Sequence, residues 1–215
     1  MPNVLLIIGT SGMAREAAQL ARQIDPNATR WPNILFVTED ATELGRRFTY
    51  GEVRLTDDML DAYGGQVDVV IGIGHPKLRR EIAQRLSSLS QFEFPNLIHP
   101  SVEIDRSCVS IGRGNVVTKG VVMTCDIEIG DFNLLNWNVT IGHDVTVGSY
   151  NVINPGSNLS GHVVVADACL VGTGTQVLER RWIAADVVVG AGAVVTRSLA
   201  TPGTYAGVPA RRLAC

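Results

Sequence analysis

The sequence predicts a two-part chain, a small parallel α/β sheet followed by an all-β solenoid. Two observations carry that reading. Over roughly the first hundred residues, short apolar runs alternate with helical patterns, the signature of strands joined by helical crossovers. From Ile111 onward an apolar residue recurs at every sixth position without a failure. Neither the helical period of 3.6 nor the strand period of 2 yields an uninterrupted six; a short flat strand followed by a tight bend does.

In the first part, "NVLLIIG" reads as a strand buried on both faces, and "MAREAAQLARQI" sets Met13, Ala17, Leu20, Ala21 and Ile24 on one helical stripe. "ILFV" and "VDVVIGIG" supply further strands. "PKLRREIAQRL" follows with Pro76 suited to a first helical turn and Leu78, Ile82 and Leu86 on one face. "FEFPNLIHP" closes the section. Between the first strand and helix, "GTSGM" offers free backbone N–H groups at a helix N-terminus, which suits an anion. An ordinary strand-to-helix turn has the same composition, and the turn is too short for a dinucleotide fingerprint.

In the second part the periodic series runs Ile111, Val117, Met123, Ile129, Leu135, Ile141, Val147, Ile153, Leu159, Val165, Val171, Val177, Ile183, Val189 and Val195. If each turn has three faces, as hexapeptide β-helices are known to have, these hexads make five turns of eighteen residues. Glycine often follows the apolar residue, as at Gly112, Gly130, Gly142, Gly148, Gly172 and Gly190, and is expected to form the bend through its tolerance of positive φ. Asn115, Val121, Val139, Val145, Ser157, Val163 and Ala193 are small enough to share a narrow interior. Stacking at ~4.8 Å puts Asn115, Asn133, Asn151 and Cys169 in one column, an internal amide ladder.

The same arithmetic sets Cys125 below His143 and Gly161 above it, with Asp144 under His162. His143 stands two residues past an inward Ile141, on an outward bend, and Asp144 follows it directly. An adjacent carboxylate orients an imidazole and raises its basicity, as a general base requires. A solvated Asp–His surface pair is the plainer alternative.

Composition bounds the partners. The 215 residues are 46% hydrophobic and 18% charged with a net charge of -3 and no run of like charge, which argues for a folded protein without a nucleic-acid or anionic-membrane partner. No basic leader and no stretch of ~18 apolar residues is present, so a cytoplasmic location is expected. Cys108, Cys125, Cys169 and Cys215 lack metal-type spacing, and the first three are expected to be buried free thiols.

Taken in order, "LLIIGTSGMAREAA", "VVIGIGHPKLRREIAQRL", "FPNLIHPSVEID", "NVTIGHDVTVG", "GAGAVVT" and "YAGVPARRL" resemble the sugar O- and N-acyltransferases of the sialic-acid O-acetyltransferase (NeuD) type, which include the acetyltransferases of bacterial UDP-4-amino-sugar pathways. The resemblance implies a Rossmann-like nucleotide-sugar-binding domain at 1–98 and a left-handed β-helix acyltransferase domain at 99–215. It implies acetyl-CoA as co-substrate, no metal, and a homotrimer with coenzyme A along the groove between two β-helices. His143 would be the general base and Asp144 its orienting acid. Asn136 would lie near the reacting groups, and Gly161, Gly172, Thr173, Gly190, Ala191 and either Arg211 or Arg212 along the coenzyme. Ser11, Gly12 and Met13 would meet the diphosphate or sugar, with Glu39 or Asp40 near the base or ribose. Relatives carry a second histidine nine residues after the base, where this chain has Val152.

The implied activity is acetyl transfer to an amino group, or a hydroxyl, of a nucleotide-activated sugar, such as a 4-amino-4,6-dideoxy sugar, with sialic acid or another sugar as an alternative O-acceptor. Two readings of other classes stand beside it. A zinc lyase of the hexapeptide carbonic-anhydrase kind needs three histidines, and His75 and His99 fall outside the periodic region. A catalytically silent solenoid would only bind a sugar nucleotide or a partner protein.

Overall fold

The computed structural model describes residues 4–213. The first part runs β1 (Val4–Ile8), α1 (Gly12–Ile24), β2 (Asn33–Thr38), β3 (Arg47–Phe48), β4 (Gly51–Thr56), β5 (Val67–Ile71), α2 (Pro76–Leu86) and β6 (Phe92–Glu93). These strands form one sheet in the order β3-β4-β2-β1-β5-β6, parallel except for the β3–β4 hairpin. Leu5, Leu6 and Ile7 are fully buried, because helices and solenoid cover both faces and the strand has no solvated side to alternate with. The strand order reverses direction at β1, so a crevice opens outside the carboxyl ends of β1 and β5.

The remainder is a parallel β-solenoid whose coils contribute one short strand to each of three sheets. Sheet I holds Leu97–Ile98, Val116–Val117, Leu134–Leu135, Val152–Ile153, Leu170–Val171 and Val187–Val189, then Gly203–Ala206 and the antiparallel Arg211–Arg212. Sheet II holds Val122–Met123, Thr140–Ile141, Asn158–Leu159, Gln176–Val177 and Val194–Val195. Sheet III holds Val109–Ile111, Ile127–Ile129, Thr146–Val147, Val164–Val165 and Trp182–Ile183. Five strands in each of sheets II and III correspond to the five coils expected from the period. Handover from the first sheet to the solenoid falls between Glu93 and Leu97, since Leu97–Ile98 already pairs with Val116–Val117.

From Val109 to Val195 the paired strands keep a register of eighteen residues, for example Thr140 beside Asn158 and Gln176; only the ends of sheet I depart from it, with Leu97 beside Val116 and Val187 beside Gly203. In the two-residue strands of the coils the second residue points inward, where Leu135, Ile153, Val165, Val171 and Val195 are fully buried. Each such side chain contributes ~1.5–3 kcal/mol on burial, and the small residues four positions on fill the remaining width. The amide ladder is formed as expected, with a defined bonding pattern. The side-chain carbonyl of Asn115 accepts from the backbone N–H of Asn133, Asn133 from Asn151, and Asn151 from Cys169, each at 2.8 Å. Asn96 extends it downward by accepting from Asn115 N–H at 2.8 Å.

The bend is made differently from the sequence expectation. Positive φ falls on the third residue after each inward apolar one, from Gly114 through Asp126, Phe132, Asn138, Asp144, Tyr150, His162, Ala168, Arg180 and Asp186 to Gly192. Gly112, Gly130, Gly142, Gly148, Gly172 and Gly190, which directly follow the apolar residue, are not among the positive-φ glycines. Their side chains are missing because the next coil presses on them: a Cβ at Gly172 would stand 2.5 Å from the Ala191 nitrogen, and one at Gly142 would stand 2.9 Å from that of Gly161. Inter-coil spacing, not torsion, selects glycine there.

The outer face of sheet I is dry because α1 lies on it. Ala14, Ala17 and Ala21 share one buried cluster with Leu97, Val116, Leu134 and Val152. A second tie is polar. Arg79 of α2 is wholly buried and donates from Nε to the Phe132 carbonyl (3.0 Å) and from one terminal nitrogen to the Ile71 (2.8 Å) and Ile73 (2.7 Å) carbonyls. Burial pulls its pKa down to about 10, still charged at neutral pH. The hydrophobic stripe drawn on α2 omitted Arg79, because an arginine is rarely fully buried without carboxylate partners. The thiol expectation is corrected: Cys169 is buried, Cys108 is half-buried and Cys125 is exposed, while Cys215 lies outside the described residues.

Candidate active site

The three sheets meet at three corners, and their order along the chain fixes which outward residues share an edge. His143 and Asp144 leave sheet II for sheet III, and Gly161 and His162 occupy the same corner one coil higher. His143 Nδ1 and Asp144 Oδ2 are 2.7 Å apart. Asp144 takes up this position because it is the positive-φ residue of its bend, at φ 59°. The hydrogen bond from His143 holds its carboxyl below the usual range, opposed by partial desolvation and aided by the neighbouring imidazoles. With Nδ1–H directed at a carboxylate, Nε2 is the lone-pair nitrogen, as a proton acceptor requires.

Gly161 has a specific reason for being bare. A Cβ there would lie 2.5 Å from His143 Cε1 and 2.6 Å from Nε2, so the ring occupies the room a side chain would fill. His162 closes the group: its ring stands edge-on to that of His143 at 5.1 Å and 90°, and its Nε2 is 3.7 Å from Asp144 Oδ2. An open cleft of about 540 Å³ runs past this corner, lined by His143, Ser160, Gly161, Leu178, Glu179, Arg180 and Arg181. Among the described residues, the group of three metal-type donors that come together is His143, Asp144 and His162. His75 and His99 are not part of it.

The predicted coenzyme residues divide between two edges of the prism. Gly161 shares the corner of His143, whereas Asn136, Gly172, Thr173, Gly190 and Ala191 lie between sheets I and II. Within one chain, the outward row of sheet II separates them: Thr140, Asn158 and Gln176, linked by side-chain hydrogen bonds. Asn136 is buried, with its side-chain carbonyl accepting from the Trp137 N–H at 2.9 Å. Arg212 lies on the terminal hairpin and donates to the Pro202 carbonyl at 3.1 Å. Val152 belongs to neither edge. It is an outward residue of sheet I, 1% exposed in the cluster beneath α1, so that position does not face an open groove within the chain.

In the first part, Ser11, Glu39 and Asp40 line a cleft of about 280 Å³ with Ile8, Gly9, Thr10, Thr38, Asp57 and Ile73, at the carboxyl ends of β1 and β5. Gly12 instead lines a separate cavity of about 520 Å³ beside Arg15, Phe48 and Tyr50, and Met13 packs against the cluster under α1. Asp40 is occupied as well. It caps a short 3-10 turn by accepting from the Thr42 N–H (2.9 Å) and hydroxyl (2.7 Å), which together lower its pKa. Sequence reasoning missed Glu43, which accepts from the hydroxyls of Thr10 (2.7 Å) and Thr38 (2.9 Å) and so ties the ends of β1 and β2 at the cleft. Hydroxyls ending two adjacent parallel strands, followed by an acid in the next turn, were the available signal.

No match was found among curated proteins. The acetyltransferase domain of PglB from Neisseria gonorrhoeae FA1090, in complex with acetyl coenzyme A, superposes with a TM-score of 0.90 at 28% identity, over 99% of this chain and 100% of that one. PerB from Caulobacter crescentus, in complex with CoA and GDP-perosamine, gives 0.84 at 28% identity over 98% and 97%. WeeI from Acinetobacter baumannii AYE gives 0.84 at 26% identity over 98% and 99%. Residues 4–86, the α/β part that carries the first cleft, match the family model of the PglD N-terminal domain.

Proposed function

We propose that the protein transfers the acetyl group of acetyl-CoA to an amino group of a nucleotide-activated sugar. The observation that carries this reading is the His143–Asp144 pair at 2.7 Å on an open corner of the solenoid. It is supported by solved structures, similar over nearly the whole chain, that hold acetyl coenzyme A or CoA with GDP-perosamine. In this reading the chain divides its labour, with residues 1–98 binding the acceptor and 99–215 the coenzyme and the chemistry.

The acceptor nitrogen attacks the thioester carbonyl directly. As the C–N bond forms, His143 Nε2 takes the proton from the amine, and Asp144 stabilises the resulting imidazolium. The C–S bond then breaks, and the proton passes to the departing CoA sulfur. No serine or cysteine intermediate is needed, which fits a corner whose one nearby thiol, Cys125, has its pKa raised by partial desolvation and by Asp126. The division of coenzyme residues between two edges fits a homotrimer, in which the corner between sheets I and II of one subunit faces the His143 corner of the next. A 4-amino-4,6-dideoxy sugar is the proposed acceptor class, and the 280 Å³ cleft at Thr10, Ser11 and Glu39 is the proposed nucleotide-sugar site. Water-soluble substrates of this kind fit a cytoplasmic enzyme of surface-glycan synthesis; among the described residues no helix is long and apolar enough to cross a membrane.

The test is thiol release from acetyl-CoA with a panel of nucleotide 4-amino sugars and sialic acid. One or more nucleotide amino sugars should support turnover, and His143→Ala should reduce it at least ~100-fold. Turnover unchanged in His143→Ala, or confined to sialic acid, defeats the proposal.

A further inference from the structure

We propose that His143, Asp144 and His162 bind a first-row divalent cation of the zinc class, and that an ion seated there blocks acetyl transfer. The binding stands independently of the acetyl-transfer reading; its inhibitory consequence rests on it.

Two imidazoles and a carboxylate form a donor set that zinc accepts, with a fourth position left to water. One donor atom from each residue lies within 4.8 Å of the others. Ligand bonds of ~2.0–2.2 Å about a tetrahedral zinc keep donors roughly 3.3 Å apart. The 2.7 Å between His143 and Asp144 and the 3.7 Å between Asp144 and His162 bracket that separation. Side-chain exposures of 53%, 44% and 40% for the three residues leave room for the small rotations required.

The backbones carrying these donors are held in place. His162 N–H donates to the His143 carbonyl at 2.9 Å, and Asp144 N–H donates to that of Cys125 at 3.2 Å. His162 Nε2 stands beyond hydrogen-bonding distance of Asp144, at 3.7 Å, so its lone pair is not committed to that carboxylate. His162 also occupies a left-handed bend, φ 57°, where glycine is the cheaper residue. The nearby guanidinium groups are turned to other partners: Arg180 to Glu179 at 2.9 Å, and Arg181 to the Thr196 carbonyl at 2.9 Å. An ion here takes the nitrogen lone pairs and the carboxylate that a general base needs, so proton transfer stops while it is bound.

The test uses the full chain after treatment with chelator. Cobalt(II) chloride is titrated and followed by its visible ligand-field absorption, with zinc chloride as competitor. Wild type should bind one cobalt per chain, displaced by zinc. His162→Gly and His162→Asn, both suited to positive φ, should each bind at least ~10-fold more weakly, since a ligand is worth no less than the residues that support it. In chelator these variants should keep wild-type turnover and, with zinc added, resist the inhibition that wild type suffers. No saturable cobalt spectrum in wild type, or equal affinity in both variants, overturns the site. Binding with undiminished turnover overturns the inhibitory role alone, and absence of turnover in every protein tells against the acetyl-transfer reading while the cobalt titration still decides the site.

Discussion

The imidazole of His143 fills the volume that a side chain on Gly161, one coil above it, would occupy. Gly161 is therefore a determinant of the His143 rotamer before it is a lining of any proposed coenzyme groove. Gly161→Ala should leave the coils folded, because the clash falls on a movable ring, yet displace that ring. Turnover should fall ~10- to 100-fold, the contribution of a positioned general base, with little change in the melting temperature. A wild-type rate in Gly161→Ala would show that His143 works from another rotamer.

Asp144→Asn tests orientation separately from proton transfer. The amide keeps the shape and the acceptor oxygen but loses the charge that stabilises a protonated imidazole. We expect a turnover loss of ~10-fold or more with the KM for acetyl-CoA unchanged, because the carboxylate is bonded to the His143 ring. A raised KM with unchanged turnover would assign Asp144 to binding instead.

The two glycine classes of the solenoid predict opposite sensitivities. Gly172→Ala forces a Cβ to within 2.5 Å of the Ala191 backbone nitrogen, which cannot move without opening the coil. It should cost on the order of 2 kcal/mol or more by urea denaturation, as overpacking does. Asn138→Gly, at a positive-φ bend that needs no side chain, should be neutral to within ~0.5 kcal/mol. Equal effects at the two sites would remove the distinction between spacing and torsion.

That distinction marks what the sequence could not disclose. The period of six was legible because it repeats along the chain; with three faces per turn, which the spacing alone does not supply, it also gave the asparagine column and the outward place of the pair at 143 and 144. Which residue of each hexad takes positive φ was not, since nine of the fourteen bends that run from Gly114 to Gly192 carry non-glycine residues. The division of coenzyme residues between two corners was invisible because spacing gives columns but not the edge to which each column belongs. Arg79 and Glu43 were missed because their partners, carbonyls and hydroxyls distant in sequence, leave no local signature.

Asp25 supplies a prediction in pH. Its carboxylate accepts from the backbone N–H groups of Thr29, Arg30 and Trp31 and from the Thr29 hydroxyl, which lower its pKa to about 2. A depressed carboxylate stabilises the fold above its unfolded value near 4 and loses that contribution as pH falls toward 2. Thermal stability should therefore decline between about pH 4 and pH 2, and Asp25→Asn should lose stability at neutral pH while flattening that decline. An unchanged acid limb in Asp25→Asn would move the effect to another carboxylate.

Arg79 reaches carbonyls in both parts of the chain, so its loss should separate them. Arg79→Leu strands two buried acceptors and a part-buried one, and should cost on the order of 3 kcal/mol. Amide exchange should quicken along β1, β5 and α2 while the central coils stay protected. Uniform loss of protection would mean that the two parts fold as one unit without this tie.

The bend column at the His143 corner reads Asp126, Asp144, His162 and Arg180, three different chemistries on one backbone torsion. Since the torsion is supplied by the coil and each side chain points out, any coil offers the same mounting for a reactive pair, one strand spacing from the next. The constraint falls on the position before the bend: a ring turned as that of His143 needs a bare residue in the coil above it, which it has in Gly161. Moving the histidine–aspartate pair by a whole coil is thus a problem of two substitutions and a clearance, and Cys125 before Asp126, with a residue smaller than histidine at 143, is where an engineer would begin.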